Sequence, residues 1–188
     1  VLNYPGTMKP FHISSTITLK PLSLSDAADI FRVIDSERAY LGKWLPFVPY
    51  TKTVDDSVKF IESVFNTPND MREIIFCIHH QNAFAGLIGL KFGPNDKANK
   101  RAEIGYWLSE KYQKKGIVTQ SVSALLDYAF SELGLNRVQI RCAVGNIPSK
   151  NIPRRLGFLF EGIERDGELL SDNQFTDIEL YSILKSEW

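Results

Sequence analysis

A change of period within one short stretch constrains this chain more than any other feature. Ala102 to Leu108 alternates apolar with small or polar side chains and is rich in aromatics, which predicts a strand. From Ile117 onward Val118, Val122, Leu125, Ala129 and Leu133 form an apolar stripe opposed by Gln120, Ser123, Asp127 and Ser131, which predicts an amphipathic helix. A basic loop, Lys111 to Gly116, joins the two. The first N–H groups of such a helix have no intrahelical partner, and its dipole favours negative charge. With Lys111, Lys114 and Lys115 beside it, and Gly116 letting the backbone approach a ligand closely, the unit predicts a phosphate site.

The remaining elements follow in order. Ile13 to Leu19 alternates as a half-buried strand ended by Pro21, and Ser25 is placed to cap a helix through Ile30, Phe31, Val33 and Ile34. Leu41 to Tyr50 holds three aromatics and two prolines, which fits either a packed lid or acceptor wall, or a loop tucked onto its own helices. A helix over Asp55 to Phe65 precedes two strands, Glu73 to His80 and Ala83 to Phe92, joined tightly by Gln81-Asn82. After the central helix come a strand from Arg137 to Val144, a short helix ending at Leu156-Gly157-Phe158, another strand that begins over Leu159 to Ile163, and a last strand from Phe175 to Leu184. Pro153 predicts that the short helix is curtailed or bent. Asp177 and Glu179 are expected on one face of the last strand, where they would suit a cationic acceptor.

Composition narrows the function classes. A chain of 188 residues, 44% apolar, fits one domain spanning 1–188. Basic and acidic residues balance at 22 each, so no overall field points to a direct nucleic-acid partner. The longest apolar run, Ala83 to Leu90, is too short for a membrane span, and Val1 to Gly6 lacks the pattern of a signal peptide, so the expectation is a cytoplasmic protein. Cys77 and Cys142 fall in apolar runs and are expected as reduced core residues. His12, His79 and His80 show no ligand spacing, so no metal is expected.

Gln113-Lys114-Lys115-Gly116-Ile117-Val118 after a strand resembles motif A of the GNAT acyltransferases, Q/R-x-x-G-x-G/A, with Val118 departing from its last position. Asn146-x-x-Ser149 followed by Leu156-Gly157-Phe158 is similar to the family's segment beside the thiol end of coenzyme A, and the order β-α-α-β-β-β-α-β-α-β-β matches the family's succession. Glu103 to Leu108, Gly157 to Gly162 and Asp177 with Tyr181-Ser182 resemble the Rim-type branch, which includes ribosomal-protein N-terminal acetyltransferases.

The resemblance implies an α+β GNAT fold, a mostly antiparallel mixed sheet of about seven strands flanked by about four helices. It also implies an acetyl-CoA dependent N-acetyltransferase. The cofactor would be held by Tyr106, Trp107, Leu108, Gln113, Lys114, Lys115, Gly116, Ile117, Val118, Thr119 and Asn146. Glu161 resembles the family's Rim-type base, Glu103 occupies the strand where other members place theirs, and Ser149 resembles the hydroxyl that protonates the leaving thiolate. The acceptor is expected to be a protein or peptide α-amino group, with a small amine as the alternative and a non-catalytic coenzyme A sensor as a third reading. Aromatics exposed on the Leu41 to Tyr50 loop would be consistent with a homodimer contact.

Overall fold

In a computed structural model of the chain, which describes residues 8–188, thirteen regular elements follow the short-range patterning closely; the reading of Val1 to Gly6 lies outside the described residues. They are β1 (Phe11–His12), β2 (Ile17–Pro21), α1 (Ala27–Ser36), α2 (Arg38–Leu41), α3 (Val54–Asn66), β3 (Ile74–His80), β4 (Ala83–Lys91), β5 (Arg101–Leu108), α4 (Ile117–Ser131), β6 (Arg137–Ala143), α5 (Ile147–Arg155), β7 (Leu159–Leu169) and β8 (Phe175–Leu184). The additions to the expected count are the two-residue β1 and the four-residue α2. Gln81 and Asn82 turn β3 into β4 with φ of 51° and 64°, the left-handed pair a tight hairpin needs. At α1 the expectation of a Ser25 cap is corrected. The entry begins at Ser23, whose N–H donates to the Asp26 carboxylate at 2.8 Å and opens a 3-10 turn over Leu24–Asp26.

All eight strands form one sheet in the order β1-β2-β3-β4-β5-β6-β8-β7, antiparallel except between β5 and β6. Helices cover both faces. On one, α4 packs Ile117, Val122, Leu125, Leu126 and Ala129 against Leu19, Phe76, Ile88, Ile104 and Val138. On the other, α1 and α3 pack Ile30, Val33, Ile34, Ile61 and Phe65 against Ile75, Cys77 and Leu87. None of the described helices is long and apolar enough to cross a membrane.

One irregularity in this sheet makes the site. β5 pairs with β6 only from Arg101–Arg137 to Glu103–Gln139. Beyond that point β5 stays with β4 as far as Leu108, while β6 stays with β8 as far as Ala143. The two strands therefore part, and alternate backbone groups of Tyr106 to Leu108 are left facing a gap.

Candidate active site

The gap opens into a cleft of about 610 Å³. Tyr106, Trp107 and Leu108 form one wall, the loop and helix start from Gln113 to Thr119 form its floor, and Asn146 and Ser149 of α5 stand opposite. The structure thus brings together every residue expected to hold the cofactor, along with Ser149.

The loop is built for an anion. Lys114 and Gly116 both take positive φ, 60° and 70°, which turns the chain sharply into α4. The first helical bond runs from Gln120 N–H to the Gly116 carbonyl at 3.0 Å, so the N–H groups of Ile117, Val118 and Thr119 precede the intrahelical ladder and are available to a ligand. Val118 is only 9% exposed, packs with the α4 core and also borders the cleft. Lys111 and Lys115 lie over the Tyr112 ring at 4.8 and 5.4 Å. The loop is also pinned from the opposite face. The Ser109 hydroxyl and Glu110 N–H donate to the Glu37 carboxylate at 2.6 and 2.8 Å, and the Gln113 amide donates to the Tyr40 hydroxyl.

Asn146 caps α5, its side-chain oxygen accepting the Ser149 N–H at 3.3 Å. The short helix expected from Pro153 is observed, α5 having nine residues and ending at Arg155. Pro153 has no N–H to give the carbonyl four residues earlier, that of Ser149. The Tyr106 hydroxyl fills the role, donating to the Ser149 carbonyl at 3.0 Å, and the Ser149 hydroxyl donates back to the phenol at 3.2 Å. Burial pushes the Tyr106 phenol well above its ordinary value, so it remains a donor throughout the working pH range.

The expected carboxylates are elsewhere. Glu161 receives both Arg137 guanidinium nitrogens at 2.6 Å and the Ser182 hydroxyl at 2.7 Å. Those hydrogen bonds hold it down at about 2, and it lines neither cavity. The structure thus places Glu161 beside Arg137, at the end of β6 remote from the gap, and does not bring it to the cleft. Glu103 lies at the start of β5, accepting from the Gln139 amide at 3.2 Å, and does not border the cleft. The acidic face of β8 is also corrected: Glu179 is 6% exposed and bonded by Lys150 at 3.1 Å and by the Tyr181 hydroxyl. Burial opposes its charge, yet those bonds outweigh it and keep the carboxyl below its usual range.

Some groups at the cleft escaped the sequence reading. Tyr40, Trp44 and Arg155 line it, and of these only the aromatic content of the Leu41 to Tyr50 loop gave a signal. That loop is packed at some positions and borders the cleft at others. Leu41 and Val48 are buried on their own helices, while Trp44 and Leu45 face the cleft. Its Tyr50 is 78% exposed.

Residues 16–159 match the family model described as "Acetyltransferase (GNAT) domain". The chain belongs to the GNAT acetyltransferases. It is an acetyl-CoA dependent N-acetyltransferase, and the orphan amides, the lysines and the open strand edge fit a diphosphate joined to an extended amide-containing arm. Among its relatives, the "Putative ribosomal N-acetyltransferase YdaF" of Bacillus subtilis (strain 168) is 37% identical over 94% of this chain and 95% of that one. The "Ribosomal-protein-serine acetyltransferase" of Escherichia coli (strain K12) is 27% identical over 90% and 93%. A solved structure of RimL, the ribosomal L7/L12 α-N-protein acetyltransferase with coenzyme A, superposes with a TM-score of 0.85 at 26% identity, covering 94% of this chain and 98% of that one.

Proposed function

We propose that this acetyltransferase modifies the α-amino group of a protein or peptide N-terminus. One observation carries the reading: among the described residues lining the cleft, the ionisable side chains are lysine, arginine and tyrosine, with no aspartate, glutamate or histidine. Such a cleft suits an amine that needs little help to lose its proton. An α-amino group, with a pKa of about 7.7–8, is neutral in about a quarter to two-fifths of molecules at pH 7.5, whereas a lysine-type amine at about 10.4 is neutral in only about one molecule in a thousand. Relatives named for ribosomal-protein acetylation support the same acceptor class.

Acetyl-CoA, when bound, supplies an activated thioester. The N–H groups of Ile117 to Thr119, with Lys114 and Lys115, would hold its phosphates. Backbone groups of Tyr106 to Leu108 would align its arm and polarise the carbonyl, so that positioning makes the main contribution. Ser149, oriented by Tyr106, would give the departing sulfur its proton.

The test is mass spectrometry of peptides with free or blocked N-termini, each containing an internal lysine, alongside spermidine. We expect acetylation at the free α-amino group alone, with kcat/KM rising through the amine's own pKa. Modification confined to spermidine or to lysine side chains would overturn the reading.

A further inference from the structure

A second cavity, of about 310 Å³, lies on the α1 and α3 face of the sheet, and the same three residues, Leu45, Tyr106 and Trp107, border both it and the cofactor cleft. Its shape comes from a pair of glycines. Gly89 of β4 and Gly105 of β5 are direct partners, one row away from the Leu87–Trp107 pair on the same face, so two adjacent strands lack side chains at the same level. Ile30, Ile34, Phe47, Phe60, Ile75 and Leu87 enclose the space above them. The glycine row lies two residues from Trp107, roughly 7 Å along the strand, which is the reach of a large side chain.

Polar groups around this chamber are mostly engaged or set at its far end. Asp56 accepts the N–H groups of Lys52 and Thr53 at 3.0 and 2.9 Å, and the Thr51 hydroxyl donates to the Phe47 carbonyl at 3.3 Å. The buried Ser57 hydroxyl, on the α3 wall, has no partner among the described residues. Lys91 lies across Gly105, where an added Cβ would come within 2.8 Å of its Cε. Glu73 closes the end beyond Lys91, and burial raises its carboxyl above the usual range.

We infer that this chamber receives the side chain of the acceptor's first residue and selects for a large apolar one, such as methionine, leucine or phenylalanine. The inference rests on the peptide reading above. An amine held against Tyr106 and Trp107 for attack in the cleft projects its own side chain over the glycine row, where apolar walls replace water. A well-matched pocket of this kind discriminates by about ten-fold or more per methylene group.

The experiment compares kcat/KM for peptides that differ only in their first residue, with calorimetry of coenzyme A binding reporting independently on the cofactor cleft. Methionine, leucine or phenylalanine should exceed alanine and serine by at least about ten-fold. Gly105→Val should collapse that ratio, because its side chain occupies the floor at the expense only of the mobile end of Lys91. Gly105→Ala serves as the milder variant if the valine protein fails to bind coenzyme A, and it should reduce the ratio in the same direction. A flat profile in the wild-type enzyme, or a ratio untouched by a folded Gly105 variant, overturns this inference alone. Failure to acetylate any peptide while coenzyme A still binds overturns the peptide reading and this inference with it.

Discussion

The Tyr106 hydroxyl donates to the Ser149 carbonyl at 3.0 Å, the carbonyl that Pro153, four residues on, has no N–H to satisfy. A residue that conflicts with helix propensity thus frees an acceptor, and that acceptor fixes a phenol between the parted strands. The central strand and α5 are tied across the cleft by this bond and by the Ser149 hydroxyl bonded to the same oxygen.

The tie predicts coupling between positions 106 and 153. Tyr106→Phe should cost about 1–3 kcal/mol, because it strips a part-buried carbonyl of its partner. In a Pro153→Ala background the new N–H can take that carbonyl, so the same change should cost less, with a coupling energy of at least about 0.5 kcal/mol. Urea denaturation of the four proteins measures it, and strict additivity would refute the assignment.

Lys114 sits beside the orphan amides of α4, and its charge acts through solvent. Lys114→Ala should weaken coenzyme A binding by about two- to five-fold at low ionic strength, in line with a charge near a helix terminus contributing about 0.3–1 kcal/mol. The difference should shrink as salt is raised towards 1 M, where screening shortens to about 3 Å. Calorimetry across a salt series is the check; a loss independent of salt would indicate a packing effect instead.

Glu161 offers a pH test of stability. Its carboxyl is lowered in the folded state to about 2 from an ordinary 4.5, first by the Arg137 hydrogen bonds and then by Ser182. A depressed acid contributes stability that is fully present above its unfolded pKa and is lost as pH falls through its folded one. Wild type should therefore exceed Glu161→Gln in melting temperature at pH 7, and the gap should close between about pH 4.5 and pH 2. Because the residue stands outside the cleft, the pH dependence of turnover should be the same in both proteins. A shifted rate profile in the variant would return Glu161 to the chemistry.

Local structure was legible in the sequence because it depends on neighbours along the chain. Alternation gave β8 to the residue, and Gln81-Asn82 gave the hairpin, since each is written in consecutive side chains. The phosphate loop was readable for the same reason, a glycine and lysines at a change of period. What was missed depends on register between distant segments. Glu161 stands beside Phe158 to Phe160 in sequence, yet strand pairing through β8 carries it to Arg137, at the end of β6 away from the cleft. Glu179 falls on the polar alternation of β8, yet that face is buried with Tyr181 and Ile183, and nothing local announces that Lys150 of α5 neutralises it. The chamber over Gly89 and Gly105 requires two glycines sixteen positions apart to meet, which only the β4–β5 register decides.

Because β5 and β6 share only three residue pairs before they separate, the sheet is mechanically two slabs, of five and three strands, joined by a narrow isthmus and by helices laid across it. An occupant of the gap is then a keystone as well as a reactant. Filling it should stiffen the molecule as a whole, slowing amide exchange along β6 and β8 as much as in the loop that touches the phosphates, and emptying it should let the halves breathe between turnovers.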